Sequence, residues 1–252
     1  MNIFLPNNIF SKFIVKNLFS KKQNKINFFP SSVLTYELSK DKSAVALIPS
    51  FDLLKNEDLF VSSKFGLSFE GNLSNSYFYF KGNSDMKKLN VVGDASSTEI
   101  LLSEIIYRED YNTELEIEIS QTNKDKEINT LVIGDDNFVN YDVTLGLSLS
   151  EKLSDLMEIQ YPFVNYVIAS FKEDNLKYFN DKAEHTQNKI YDMVENDIIS
   201  DSLNIKAKSF IKDNISSLII NLEEQDREGL TEELKLPYYH GIIKSMIDIN
   251  FV

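Results

Sequence analysis

Apolar positions along this chain recur in two rhythms, and the alternation between them predicts the fold. "MNIFLP" is a short continuous apolar run closed by Pro6 and the pair Asn7-Asn8, which reads as a first strand. In "IFSKFIVKNLF", Ile9, Phe10, Phe13, Ile14 and Leu18 fall at helical spacing. "KINFF" is a second short strand, and "PSSVLTYELS" opens with Pro30 and two serines, good chemistry for a helix start. "SAVALIPS" is a run without polar interruption, as in a strand covered on both faces of a sheet. The opening therefore predicts β-α-β-α-β with parallel strands.

The rhythm then changes. "LFVSSKFGLSFEGNLSNSYFYFKG" holds two extended stretches around Gly71 with no helix between them, and "LNVVGDASSTEILLSEIIY" restores strand, loop and helix. "LEIEIS" alternates as a strand does, "NTLVIG" is another strand, "SEKLSDLMEI" a helix and "YPFVNYVIASF" a long aromatic strand. From Lys172 the pattern is helical almost to the end, through "EDNLKYFNDKAEHTQNKIYDMVENDII", "SLNIKAKSFIKDN" and "TEELKLPYYHGIIKSMI". A second α/β unit is thus inserted into a first. With Tyr77–Phe80 and Pro162–Ser170 as the crossings, residues 1–78 and 168–252 make one lobe and 79–167 the other. Such a clamshell binds ligands between its lobes, at strand carboxyl ends and helix N-termini.

Composition narrows the chemistry. The 252 residues carry a net charge of -13, with Lys and Arg outnumbered 26 to 39, so nucleic acid and anionic membrane surfaces are not expected partners. Arg108 and Arg227 are the only arginines, which leaves few candidates for a guanidinium clamp. Cysteine is absent, which removes disulfides, thiolate nucleophiles, zinc–cysteine sites and iron–sulfur clusters. With histidine confined to His185 and His240, both in helical, surface-facing context, no metal is expected. "MNIFLPNNIFSKFIVKNLFS" lacks the features of a signal peptide and no apolar run reaches membrane-spanning length, so the expected location is the cytoplasm.

Three strand ends face the expected cleft. Asn7-Asn8 follows the first; a side-chain amide there either orients a substrate oxygen or caps the next helix. Ser96-Ser97-Thr98 follows "VVGDA" and reads either as an anion cradle at a helix start or as a cap, with Glu99 and Glu104 solvated. Gly134-Asp135-Asp136 closes "NTLVI"; the carboxylates could hold Mg²⁺, share a proton, or cap the short helix "DDNFVN". Ser74, Asn75 and Ser76 touch a ligand from the hinge or form an ordinary polar turn, and Tyr238-Tyr239 reads as packing.

Several of these stretches, in this order, resemble the menaquinone-biosynthesis protein MqnA family from about residue 3 to 247. "SAVALIPSFDLLKNED" resembles its strand ending in a Pro-Ser or similar pair, "GNLSNSYFYF" its Gly-Pro-Val-x-Ser turn, and "DASSTEILLSEIIY" its Ser/Thr-rich helix start. "LVIGDDNFV" is similar to its Leu-Ile-Gly-Asp segment and "YPFVNYVIASF" to its Leu-Pro-Phe-Val-Phe-Ala strand. Phe10 stands near the place of a family proline, Asn72 replaces the proline of the turn, and Ile159-Gln160 stands where the family has Thr-Gly.

The resemblance implies an α/β, type 2 periplasmic-binding-protein fold with two lobes joined by two crossing strands. It implies a hydro-lyase removing water from chorismate to give 3-[(1-carboxyvinyl)oxy]benzoate, without metal or organic cofactor, on a small dicarboxylate substrate. Carried over by position, Asn7 and Ser76 are the catalytic candidates. Asn8, Ser50, Ser74, Ser97, Thr98, Gly134 and Asp135 are the substrate-binding ones. Two alternatives stand beside it: a non-catalytic clamshell binding a small anion, and a partner-binding protein that keeps only the scaffold.

Overall fold

The structure is a computed structural model that describes residues 1–18, 24–82, 84–120, 128–157, 160–197, 199 and 203–252. Strands β1 (Asn2–Pro6), β2 (Lys25–Phe29) and β3 (Val45–Pro49) alternate with helices α1 (Ile9–Leu18) and α2 (Leu34–Lys40). β1 pairs in parallel with both β2 and β3, as the opening pattern predicts. Every residue of β3 is buried, the burial expected of a strand covered on both faces.

β4 (Phe60–Phe69) ends the first passage through this sheet, and the chain crosses to the other lobe. There β5 (Ser76–Tyr79), β6 (Lys88–Gly93), α3 (Ser97–Tyr111), β7 (Glu116–Ser120), β8 (Asn129–Ile133), α4 (Asp136–Val139), β9 (Leu147–Ser148) and α5 (Leu149–Leu156) build the second unit. β10 (Phe163–Ser170) returns to the first sheet, followed by α6 (Asp174–Asn180), α7 (Ala183–Glu195), α8 (Ile205–Asp213), β11 (Leu218–Asn221), α9 (Glu224–Tyr239) and β12 (Asn250–Phe251). Among the described residues the first sheet has the order β11-β4-β10-β3-β1-β2 with β12 also on β4, and the second β7-β6-β8-β5-β9.

The strand register moves the lobe boundaries from 78/79 and 167/168. Ser76 already pairs with Ile133, so all of β5 belongs to the second sheet. Val164 already pairs with Ser68, so all of β10 belongs to the first. The crossings are the polar turn between β4 and β5 and the segment between α5 and β10. The apolar runs beside them are sheet members, because a strand's backbone groups must be paired once it is buried. The first crossing is clasped to the start of α5: the hydroxyls of Ser148 and Ser150 both donate to the Gly71 carbonyl, at 2.8 and 2.6 Å.

The helical reading of the last third needs three corrections. The stretch from Glu173 divides into α6 and α7, β11 and β12 are strands, and α9 stops at Tyr239, with Gly241 at φ +68° just beyond it. An aromatic seam joins the lobes: Phe10 of α1 lies 5.1 Å from Phe69 of β4 and 6.0 Å from Phe138 of α4, and Phe138 lies 6.3 Å from Tyr77 of β5. All four rings are buried.

Candidate functional site between the lobes

Gly134 ends β8 at φ +84°, a conformation that favours glycine, and its N–H donates to the Asn75 carbonyl at 2.8 Å. That bend aims Asp135 away from its own helix. Asp135 stands at the N-cap position of α4 but makes no side-chain cap there. Its carboxylate instead accepts the Ile9 N–H at the start of α1, in the other lobe, at 2.6 Å, and the Lys12 ammonium at 2.9 Å. Asp136 faces elsewhere, accepting from Asn140 at 2.8 Å. The two neighbouring carboxylates therefore serve different partners, and neither the shared-proton nor the metal reading of the pair matches this geometry. Among the described residues no group of His, Cys, Asp or Glu is placed to hold a metal ion.

Asn7 is exposed, and Asn8 is the enclosed member of the pair, 1% accessible. Asn7, the catalytic candidate by resemblance, is thus the outward-facing member, because the turn that starts α1 carries Asn8 inward. Asn8 Oδ1 accepts the Ser11 N–H at 2.8 Å, a helix N-cap, while its Nδ2 has no hydrogen-bond partner.

The loop that opens α3 supplies the densest set of contacts. Ser96 is its N-cap, in a capping box with Glu99. Far from being solvated, Glu99 is fully buried and accepts from the Ser96 N–H at 3.1 Å, the Ser96 hydroxyl, Ser76 Oγ at 3.3 Å and Asn165 Nδ2 at 2.9 Å. Burial, the largest influence, raises its pKa above the ordinary carboxylate value against the opposing pull of these donors. Asn165 sits where the register of β10 against β4 slips, and its Oδ1 has no partner. Such a bulge re-aims one side chain of a strand.

Several of the remaining hydroxyl contacts cross between the lobes, and others brace their partners from within the first. Thr98 Oγ1 accepts the Phe51 N–H at 3.1 Å and lies 3.3 Å from Ser50 Oγ. Ser97 Oγ donates to Asp52 at 2.6 Å, and Thr35 Oγ1 to the other oxygen of Asp52 at 2.5 Å. Asp94, just past β6, receives both the N–H and the hydroxyl of Ser31, at 2.8 and 2.6 Å. Ser31 Oγ in turn lies 2.8 Å from Tyr166 OH; with its own proton on Asp94, it accepts the tyrosine's. The phenol's pKa stands well above its ordinary value, through burial first and then the nearby Glu99 and Asp94.

The structure thus brings Asn8, Ser50, Ser76, Ser97, Thr98, Gly134 and Asp135 to the seam between the lobes and leaves Asn7 at the surface. Ser74 is a turn residue: its N–H donates to Tyr77 OH at 2.8 Å, and its hydroxyl accepts the Ser76 N–H at 3.3 Å. Ser31, Asp52, Asp94, Glu99, Asn165 and Tyr166 were not among the sequence candidates. Asp94 lies one residue past the end of β6 and Asp52 three past the end of β3, a signal that was available.

Two lobes meeting across hydroxyls, amides and helix starts, with the chain crossing twice between them, decide the fold when set beside solved structures. The chain has a periplasmic-binding-protein fold. Protein AF1704 from Archaeoglobus fulgidus superposes with a TM-score of 0.68 at 12% identity, over 96% of this chain and 98% of that one. The aliphatic sulphonate binding protein SsuA from Escherichia coli gives 0.65 at 10% identity, over 99% and 95%. The CA3427 gene product of Candida albicans, described as having the generic periplasmic binding protein fold, gives 0.59 at 13%, over 97% and 91%. No protein-family model matches the chain, and no curated protein matches its sequence significantly. At these identities the likeness speaks for the fold alone.

Proposed function

We propose that this chain is a ligand-binding clamshell whose lobes close over a small molecule. The observation that carries the reading is the pair of buried amides at the seam, Asn8 and Asn165, each fixed by one hydrogen bond and each left with one polar atom unmet. Buried polar atoms are rarely left without partners except where something else is to meet them. SsuA, with the same fold, is a sulphonate-binding protein, and another SsuA, from Xanthomonas axonopodis, is bound to MOPS. A thermal-shift panel of single amines, amino acids, sulfonates, carboxylates and polyols tests the reading. A saturable rise in melting temperature that is lost in Asn165→Ala supports it, and a flat response across the panel refutes it. A cytoplasmic location belongs to the same proposal, and fractionation of the source cells tests it. No helix among the described residues is long and apolar enough to cross a membrane.

A second reading, the MqnA-like hydro-lyase, is favoured by one contact. Ser76, a catalytic candidate by resemblance, touches Glu99, whose solvent-shielded carboxyl has a raised pKa. A carboxyl tuned upward is suited to moving a proton as water leaves. The test is incubation of the purified protein with chorismate, followed by ultraviolet absorbance and mass. A product lighter by one water, lost in Ser76→Ala, supports the lyase, and unchanged chorismate excludes it.

A further inference from the structure

Resting on the clamshell reading, we propose that the interlobe site takes a small organic cation, a molecule presenting ammonium N–H groups and an acceptor atom, and turns dicarboxylates away. Three donors at helix starts, where an anion would otherwise be held, are already taken by carboxylates of the chain itself. The Ile9 N–H at the start of α1 is held by Asp135, the Ser31 N–H by Asp94, and the Ser97 hydroxyl by Asp52. A carboxylate ligand would have to displace these groups and then sit among them, at the like-charge cost that such crowding brings.

The charge at the seam is also unbalanced. Asp52 and Asp94 are met by neutral hydroxyl and N–H donors, with no ion pair to either among the described residues. The cations that reach across between the lobes are engaged elsewhere: Lys12 by Asp135, Lys206 by Asp142, and Arg108 by the His240 carbonyl. The unmet atoms fit the same class. Asn165 Nδ2 is committed to Glu99, which leaves its Oδ1 as a buried acceptor awaiting a donor. Asn8 Oδ1 is committed to the Ser11 N–H, which leaves its Nδ2 as a buried donor awaiting an acceptor. An ammonium group supplies the donor for Asn165 and positive charge for the carboxylates, and a hydroxyl on the same molecule supplies the acceptor for Asn8.

Three four-carbon probes separate the classes: 4-aminobutan-1-ol, butane-1,4-diol and succinate, titrated calorimetrically at matched ionic strength. The amino alcohol binds one to one, at least tenfold tighter than the diol, and succinate does not bind. Asp94→Asn and Asp52→Asn each weaken the amino alcohol at least tenfold, and Asp174→Asn, on the surface of α6, leaves it unchanged. Affinity that survives both seam substitutions reveals screening of an acidic surface and overturns the inference. So does binding of succinate in place of the amino alcohol, or no binding by the amino alcohol. In those cases, a ligand emerging from the wider panel leaves the clamshell reading intact, and a silent panel takes both down.

Discussion

Two buried glutamates give a sharp test of the physical account, because the same substitution is expected to act on them in opposite directions. Glu233 of α9 and Glu99 of α3 are both fully buried, and burial raises both pKa values. Their partners differ. Glu233 Oε1 accepts the Val164 N–H at 2.8 Å and its Oε2 has no partner, whereas both oxygens of Glu99 accept hydrogen bonds. In Glu233→Gln, the amide oxygen keeps the Val164 bond and the group that cannot ionise stays neutral. A carboxyl whose native pKa exceeds its unfolded value contributes its full stability below the unfolded pKa. That contribution is lost as pH rises through the native pKa, at about 1.4 kcal/mol per pH unit. Wild type should therefore lose stability from about pH 4.5 upward through the window set by Glu233, and Glu233→Gln should lose less, ending more stable at pH 8. Glu99→Gln turns an acceptor into a donor facing either the Ser96 or the Ser76 and Asn165 donors, at a cost of about 2–4 kcal/mol. Denaturant unfolding from pH 5 to 9 measures all three proteins. If Glu233→Gln is less stable than wild type at pH 8, or keeps the full wild-type slope, the assignment of Glu233 as a poorly met buried acid is wrong.

Three further outcomes follow from single contacts. Gly93→Ala places a Cβ 2.1 Å from the Ile133 carbonyl oxygen at φ +102°, so β6 and β8 must separate. A loss of about 3 kcal/mol or more in unfolding free energy is expected, and a change below about 1 kcal/mol would contradict the close approach. Asn8→Ala removes the α1 cap and should cost about 1 kcal/mol in denaturant unfolding. Asp135→Asn weakens the bond from the Ile9 N–H and abolishes the Lys12 pair, so its destabilisation should shrink at high salt; an effect independent of salt would mean that charge is not what holds α1 to Asp135.

Much of the fold was legible because its strands are marked by continuous apolar runs with turn residues at their ends. "VALIP" and "FVNYVIAS" needed only length and burial to be read, and the shift of the lobe boundaries came from pairing, which no local pattern carries. β11 and β12 are too short for a period to register, and α9 was read too long because Ile242, Ile243 and Met246 continue a helical spacing past Gly241. The site was half legible. Hydroxyl clusters at strand ends pointed to the seam, but Asp135 reaches another lobe, and Glu99 looks like any surface glutamate until α3 is docked. Asn165 lies inside a strand, where only the register slip reveals it.

The rings of Phe10 and Phe138 have a kinetic consequence. Parting the lobes would wet both faces of that contact, and at about 25 cal/mol per Å² even 100 Å² of newly hydrated ring surface costs about 2.5 kcal/mol. Each 1.4 kcal/mol would thin an opened population tenfold, which weights the lobes toward the packed arrangement. For the proposed clamshell, entry and release of a ligand would both have to pass through that sparse opened form.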